Sequence, residues 1–233
     1  MLKETQKEVS WKQYVPTQLL SILEDRSSFA ILILGIFYTI GFFGFIFQIH
    51  PDFVMLTPFQ LLLALVLMLW AHTRWDMASV IFCVSAFTIG YGAEVFGVQT
   101  GILFGEYVYN EVLGWKVWDT PLMIGINWIL VAYSAGMIIN HFMKDSHLII
   151  KSFLGAALMV LLDYFIEPVA IEFGFWTWAA NGHPPLQNYL GWFWVALPVM
   201  LLFFILVKKQ QNKVGYTLFI IQFLFFFLIG LTI

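Results

Sequence analysis

Two carboxylic acids stand in a stretch of the sequence where a charged side chain is costly. Asp163 directly follows the apolar run LGAALMVLL (154–162), and Glu167 lies four residues later, on the same face of a helix. Because a charge near the middle of a bilayer costs about 2.5–3.5 kcal/mol, such residues usually face a bundle interior and take part in function. Burial also favours the neutral form of a carboxyl group, which is a proton donor. The pair therefore predicts acid chemistry inside a membrane protein.

Glu94 and Asn127 are predicted to reach the same depth as this pair. Counted from the inner ends of their spans, Glu94 lies about 26 Å up the third helix and Asp163 about 23 Å up the fifth. Asn127 lies about 9 Å below the outer start of the fourth helix, and Gly90 leaves room beside Glu94. We therefore predict Asp163, Glu167 and Glu94 as catalytic residues.

Each of these residues also has a structural interpretation. Glu167 would be an interfacial acid if the fifth helix ended there, and Pro168 is predicted to end or kink that helix. Glu94 would lie at the water boundary if the third helix ended early. In a purely structural role, Asp163 would form a hydrogen bond with a neighbouring helix, and Asn127 would link two helices. The sequence alone leaves these alternatives open.

The composition is that of a polytopic membrane protein. The chain is 61% hydrophobic and 11% charged, with a mean hydropathy of +0.86, which lies outside the range of soluble globular domains. Seven stretches are long enough to cross about 30 Å of hydrocarbon, and no linker divides the chain. We therefore predict an all-α transmembrane bundle that forms a single integral membrane domain over residues 1–233. The predicted spans are 29–49, 53–72, 77–97, 121–141, 148–166, 189–207 and 214–233.

The basic residues indicate how this bundle is oriented. With the N-terminus inside, ten of the eleven Lys and Arg residues fall on inner segments, and only Lys116 falls outside. This asymmetry predicts an N-in, C-out protein of a bacterial or archaeal cytoplasmic membrane. Residues 1–28 are then either a cytosolic tail or a short interfacial helix. The net charge of −3 argues against nucleic acid as a partner.

Two long outer connections, 98–120 and 167–188, are rich in glycine and aromatic residues and carry almost no basic residues. Loops of this kind are expected to fold back against the bundle and line a cavity. The 25 Phe and 10 Trp residues exceed what interfacial belts need, which favours a cavity for an apolar or π-rich ligand. The sequence has neither a nucleotide-binding fingerprint nor a histidine pattern with metal spacing. We therefore predict no cofactor and no metal.

The chain contains five segments, in this order: GAEVFGVQTGILFGEYVY (92–109), PLMIGINW (121–128), DYFIEPVA (163–170), FWTW (175–178) and PLQNYLGWF (185–193). Together they resemble the membrane-bound carotenoid biosynthesis family. Its members include carotenoid 1,2-hydratases of the CruF type and bisanhydrobacterioruberin hydratases. The resemblance covers roughly residues 85–195, nearly half of the chain.

This resemblance implies that the substrate is an acyclic end of a long carotenoid, lycopene- or γ-carotene-like, taken from the lipid bilayer. The implied reaction adds water across the terminal 1,2-double bond. A carboxylic acid protonates carbon 2, a tertiary cation forms at carbon 1, and a carboxylate base activates the water. Aromatic faces would stabilise the cation, and other carotenoid enzymes are possible partners. The residues predicted to contact the substrate are Tyr91, Tyr107, Tyr109, Asn127, Trp128, Trp176, Trp178, Asn188 and Trp192.

Three alternative functions fit parts of the same pattern. A membrane-type lycopene cyclase begins with the same protonation, but an internal double bond captures the cation instead of water. A proton-coupled transporter would use the three acids as a relay, although the inner halves of the spans hold no acid or base to continue it. A structural or lipid-binding protein would need no reaction at all. Product analysis in a lycopene-accumulating host separates these functions, because only the hydratase yields a more polar carotenoid.

The distribution of basic residues generates a prediction about topology. We expect the C-terminus and the 167–188 connection to lie outside, and the segments 73–76, 142–150 and 208–213 to lie inside, because Lys and Arg resist translocation. A reporter fused after Ile233 measures this, with a fusion in 142–150 as the matched control of opposite sign. If a reporter that is active only in the cytoplasm is active when fused after Ile233, the predicted orientation is wrong.

Overall fold

The computed structural model describes residues 16–179, 182–207 and 211–233. Seven helical segments in these ranges are long and apolar enough to cross a membrane, as the hydropathy pattern predicts, and they pack into one bundle. The helices are α1 (Thr17–Glu24), α2 (Arg26–Ile46), α3 (Thr57–Trp70), α4 (Met77–Thr100), α5 (Leu122–Phe142), α6 (Leu148–Glu172), α7 (Leu186–Leu206) and α8 (Lys213–Gly230), and the strands are β1 (Tyr107–Tyr109), β2 (Lys116–Val117), β3 (Thr120–Pro121) and β4 (Trp176–Trp178).

The predicted N-terminal segment 1–28 is described only in part. Residues 1–15 lie outside the described residues, and α1 follows at 17–24 before Asp25 begins the first span. Asp25 caps α2, because its carboxylate accepts a hydrogen bond of 2.8 Å from the backbone N–H of Ser28. The first span therefore begins three residues earlier than the hydropathy pattern predicts.

Helix α6 differs most from the predicted spans. It continues through Pro168 to Glu172, so the expectation that the fifth span ends at residue 166 is wrong. Proline lacks the backbone N–H and costs one helical hydrogen bond, but tight packing around the following turn can hold the helical path. Val169 and Ala170 are both buried in that turn. Glu167 consequently lies inside a helix and not at its end.

Helix α5 is the most buried span and contacts α3, α4, α6, α7 and α8. Glycines at helix crossings allow this close packing. A Cβ atom on Gly90 of α4 would lie 2.1 Å from the Trp128 ring of α5, and one on Gly136 of α5 would lie 2.3 Å from Phe203 of α7. The absence of a side chain at residue 90 therefore fixes where the Trp128 indole lies.

Both outer connections fold back on the bundle, as predicted. The first connection supplies β1 and the second supplies β4, and the two strands pair antiparallel with Tyr107 opposite Trp178 and Tyr109 opposite Trp176. A second pair, β2 with β3, closes the turn before α5. The single O–H of Tyr91 on α4 is shared between two backbone oxygens of this turn, those of Val117 at 2.8 Å and Thr120 at 3.0 Å. The β2–β3 turn is therefore held against the outer end of α4.

A buried polar network joins four helices at the inner end of the bundle. Ser79 donates to Asp76, so the Nε2–H of His72 donates to the Ser79 hydroxyl at 3.2 Å. The Tyr133 hydroxyl lies 2.6 Å from His72 Nδ1 and itself accepts from the Asn212 amide at 3.2 Å. All these bonds suit a neutral imidazole. Burial lowers the pKa of His72, and a backbone hydrogen bond at Arg74 and the nearby Asp76 carboxylate offset only part of that effect.

This network generates a prediction about stability. Because the folded chain resists protonation of His72, we expect full stability above about pH 6.5, the ordinary histidine pKa, and a loss of stability as the pH falls below it. Thermal unfolding of the detergent-solubilised protein from about pH 5 to pH 8 measures this. His72→Gln cannot titrate and should flatten the profile, whereas an unchanged slope in that variant would contradict the assignment.

Candidate active site

Three carboxyl groups meet in the outer third of the bundle. Glu94 of α4 and Asp163 and Glu167 of α6 are each no more than 3% exposed, and all three line one small cavity. Two amide side chains also line it, Asn127 of α5 and Asn188 of α7. Five polar residues from four helices are thus collected in a space surrounded by apolar side chains.

Glu94 is held by three hydrogen-bond donors. The hydroxyls of Tyr107 and Tyr109 donate to Oε2 at 2.6 and 2.8 Å, and the indole N–H of Trp128 donates to Oε1 at 3.3 Å. Burial, and after it the Glu94 carboxylate, raise the pKa of both phenols well above the usual value. The two tyrosines therefore remain protonated donors, which stabilises Glu94 as an anion.

Glu167 has three donors of its own. The indole N–H groups of Trp176 and Trp178 donate to Oε2 at 3.0 and 2.9 Å. The amide of Asn188 donates to Oε1 at 3.2 Å. Two indoles and an amide, all neutral, thus stabilise a carboxylate without adding a charge.

Asp163 is the least supported of the three acids. Within the described ranges, its one hydrogen bond comes from the Asn188 amide, 3.2 Å from Oδ2. The same Asn188 nitrogen donates to Glu167, so one amide bridges the two acids of α6. Hydrogen-bond donors stabilise the charged form of a carboxyl group. Asp163 is therefore the acid best suited to hold a proton.

The β1–β4 ribbon explains why the donors to Glu94 and Glu167 lie side by side. Side chains on a strand alternate, so Tyr107 and Tyr109 point inward while Val108 between them is 59% exposed. Trp176 and Trp178 alternate with Thr177 in the same way. Cross-strand ring contacts at 4.8 and 5.9 Å join the two pairs. One short ribbon thus supplies four of the six donors.

Stacked indoles form part of the wall below the ribbon. Trp128 and Trp192 lie with their ring centroids 4.3 Å apart and their planes 12° apart. Trp192 lines the small cavity, while Trp128 is fully buried and donates to Glu94. Gly90 makes room for this stack, in agreement with the prediction that it leaves space beside Glu94.

A second, larger cavity lies beside the acids. It has a volume of about 210 Å³, and its wall is almost wholly apolar. Phe37, Ile40 and Leu56 line it and are 45%, 53% and 52% exposed, so its open side faces the lipid-exposed surface of the bundle. Four residues are common to the walls of the two cavities, and these are Ile124, Asn127, Ile166 and Trp176.

A third cavity, of about 330 Å³, adjoins Glu167 from the outer side. Tyr164, Pro168 and Tyr189 line it together with His183 of the outer connection. Glu167 is thus the one acid of the three that lines both this outer cavity and the small polar one, among the described residues.

The structure brings most of the predicted site residues together. Trp128 contacts Glu94 from behind the wall, whereas Tyr91 is directed to the β2–β3 turn and lines none of the three cavities. Sequence analysis missed Tyr38, Gln60 and Gln222, which line the apolar cavity. Gln60 and Gln222 could have been found from the sequence, because each is an isolated amide in an apolar span. The predicted residues that line the small cavity are Glu94, Tyr107, Tyr109, Asn127, Asp163, Glu167, Trp176, Trp178, Asn188 and Trp192.

The chain is similar to a curated protein, the bisanhydrobacterioruberin hydratase of Haloarcula japonica. The two are 26% identical over 159 residues, which is 66% of this chain and 54% of that protein. The chain therefore spans about half the length of the curated relative that it matches. No solved structure matches the chain.

The profile of a protein family matches a longer part of the sequence. That family is described as carotenoid biosynthesis protein, and the match runs from residue 55 to residue 233, well over half of the chain. It contains all five segments on which the resemblance rests and every residue of the acid cluster. The chain belongs to the carotenoid biosynthesis protein family.

Proposed function

We propose that this protein is a carotenoid hydratase, which adds water across the terminal double bond of an acyclic carotenoid end. The observation that carries the proposal is the position of the acids. A weakly supported carboxyl group, Asp163, lies where a small polar cavity meets an apolar cavity that is open to lipid. Family membership and the similarity to a hydratase support the same chemistry.

Asp163 acts as the general acid in this proposal. An alkene has no lone pair, so the reaction must begin with the transfer of a proton to carbon 2 from a group that holds it in an apolar site. Among the described residues, Asp163 has a single hydrogen-bond donor, which it shares with Glu167. Protonation therefore costs Asp163 less hydrogen-bond stabilisation than it costs the other two acids. Its proton forms the new C–H bond, and the positive charge moves to carbon 1.

Aromatic rings and carboxylates stabilise the tertiary cation. Trp176 lines both cavities and therefore lies where the carotenoid end meets the acids. A cation over an aromatic face gains about 0.5–2 kcal/mol. Glu94, held as an anion by Tyr107 and Tyr109, adds a fixed negative charge that suits a positive intermediate.

Water and base lie on the other side of the same centre. The small cavity has a volume of about 30 Å³, which holds a water molecule but not the end of a carotenoid. Glu167 lies between that cavity and the outer one, so we assign it as the base. Water attacks carbon 1, Glu167 takes its proton, and return of that proton to Asp163, one turn away on the same helix, restores the enzyme. The net change is addition of one water.

A lycopene- or γ-carotene-like end fits the apolar cavity, and the rest of the polyene would extend through the open side into lipid. The cyclase alternative has less support, because a polar cavity of water size adjoins the reacting position. Cyclisation would instead need apolar space in which the chain folds back on itself. Product analysis with lycopene decides, since the hydratase product is a polar tertiary alcohol.

The first test removes the proton donor. We expect Asp163→Asn to insert and fold but to lose about 10²–10⁴-fold in turnover, because asparagine keeps the size of the side chain and cannot donate the proton. The measurement is product per folded molecule in a lycopene-accumulating host, with folding checked by gel filtration in detergent. Glu172→Gln on the exposed outer end of α6 is the matched control and should retain activity.

The other two acids complete this experiment. Glu167→Gln and Glu94→Gln should also reduce turnover, since one removes the base and the other removes the fixed charge near the cation. If Asp163→Asn and both glutamine variants have near wild-type activity, the acid-catalysed mechanism is wrong and the aromatic outer ribbon is the place to search next.

A further prediction concerns cofactors. Protonation and hydration leave the oxidation state of the carotenoid unchanged, so we expect the purified enzyme to need neither nicotinamide nor flavin and to retain activity after treatment with a metal chelator. Turnover of lycopene with and without the chelator measures this. Complete loss that a single metal ion restores would contradict the mechanism and point to a carboxylate-bound metal.

A further inference from the structure

Three polar side chains form a second cluster in the apolar cavity, apart from the acids. Tyr38 of α2, Gln60 of α3 and Gln222 of α8 line the wall, and the phenol of Tyr38 lies beside both amides. The proposed protonation and hydration steps do not use any of them. Burying polar groups in an otherwise apolar cavity costs free energy unless they form hydrogen bonds, so this cluster is expected to have a binding partner.

Two atoms of the cluster are left without partners. Gln60 Nε2 and Gln222 Oε1 are buried, and neither has a hydrogen-bond partner among the described residues. Gln222 is only 2% exposed, although it lies in a transmembrane helix whose other residues are nearly all apolar. One unpaired atom is a donor and the other is an acceptor. A ligand group that both accepts and donates would satisfy the pair.

The depth of the cluster locates that group relative to the acids. Counted from the inner starts of their helices, Gln222 lies about 14 Å up and Tyr38 about 18 Å up, against about 23 Å for Asp163. The cluster is therefore about 5–9 Å deeper in the bundle than the acid, which is one to two helical turns. Asn127 lines both cavities and thus belongs to the wall that they share.

We propose that Gln60, Gln222 and Tyr38 bind a hydroxyl group of the carotenoid, located several carbons from the double bond that is hydrated. A hydroxyl accepts from Gln60 and donates to Gln222, a carbonyl oxygen could only accept, and a hydrocarbon could do neither. This inference rests on the proposed hydratase function and specifies its substrate. The preferred carotenoid is already oxygenated near the reacting end, so an oxygen-adding reaction must precede this one.

The test compares two acyclic carotenoids with the same carbon skeleton, lycopene and a lycopene analogue with one hydroxyl several carbons from the terminal double bond. We expect the wild-type protein to prefer the hydroxylated compound by about tenfold or more in kcat/KM, since a site built to pair with a hydroxyl discriminates against its absence. Gln222→Leu and Gln60→Leu should reduce the ratio to near one, because each variant removes one hydrogen-bond partner of the hydroxyl. Gln211→Leu, on the exposed inner side, is the control and should keep the preference.

Binding supplies a second measurement that does not depend on turnover. Quenching of tryptophan fluorescence by the polyene reports occupancy, because Trp176 lines the cavity. Tighter binding of the hydroxylated compound to the wild type, lost in Gln222→Leu, supports the subsite even if neither compound is hydrated and the proposed function fails. Equal affinities in the wild type, or an equal loss for both compounds in Gln222→Leu, would overturn it and leave a cluster that holds only water.

Discussion

A carboxyl group inside an apolar bundle needs hydrogen-bond donors, and this requirement governs the outer half of the structure. A buried polar group without a partner costs about 1–3 kcal/mol, and a buried charge without one costs considerably more. Three acids lie within reach of one small cavity, so the chain must bring many donors to one place. It does so almost entirely with neutral groups, two phenols, three indoles and one amide. Basic side chains would have formed ion pairs there and removed the acidity on which the proposed reaction depends.

The unequal distribution of those donors has a chemical meaning. Glu94 and Glu167 each accept three hydrogen bonds, whereas Asp163 accepts one that it shares. Environment alone can separate an acid from a base among like carboxyl groups, as it does in many enzymes that use two carboxylates. The separation here follows from topology, because the donors descend from the ribbon at the outer end and reach the upper residue of the α6 pair first. Asp163 lies one turn below, nearer to the apolar cavity.

Much of this arrangement could be predicted from the sequence. Hydropathy identified seven spans, and the isolated acids in them predicted which side chains would meet in the outer part of the bundle, because both signals are local and large in energy. The path of α6 through Pro168 could not be predicted, since it depends on packing around Val169 and Ala170. The register of the ribbon was equally hidden, because it pairs strands almost seventy residues apart. Gln60 and Gln222 stood out in their spans, but nothing local indicated that they face the same cavity.

Each strand of the ribbon has only three paired residues, so any change of register displaces all of its inward-facing side chains at once. Side chains on a strand alternate, so a slip of one residue in β1 would turn both phenols outward and present Val108 to the Glu94 carboxylate. A ribbon this short has little stability of its own. Two backbone hydrogen bonds just beyond its ends hold the pairing in place. The N–H of Asn110 donates to the carbonyl of Phe175 at 3.0 Å, and the N–H of Ala179 donates to the carbonyl of Glu106 at 2.9 Å. The assembly of the three acids thus depends on main-chain hydrogen bonds that lie beyond the ends of the ribbon.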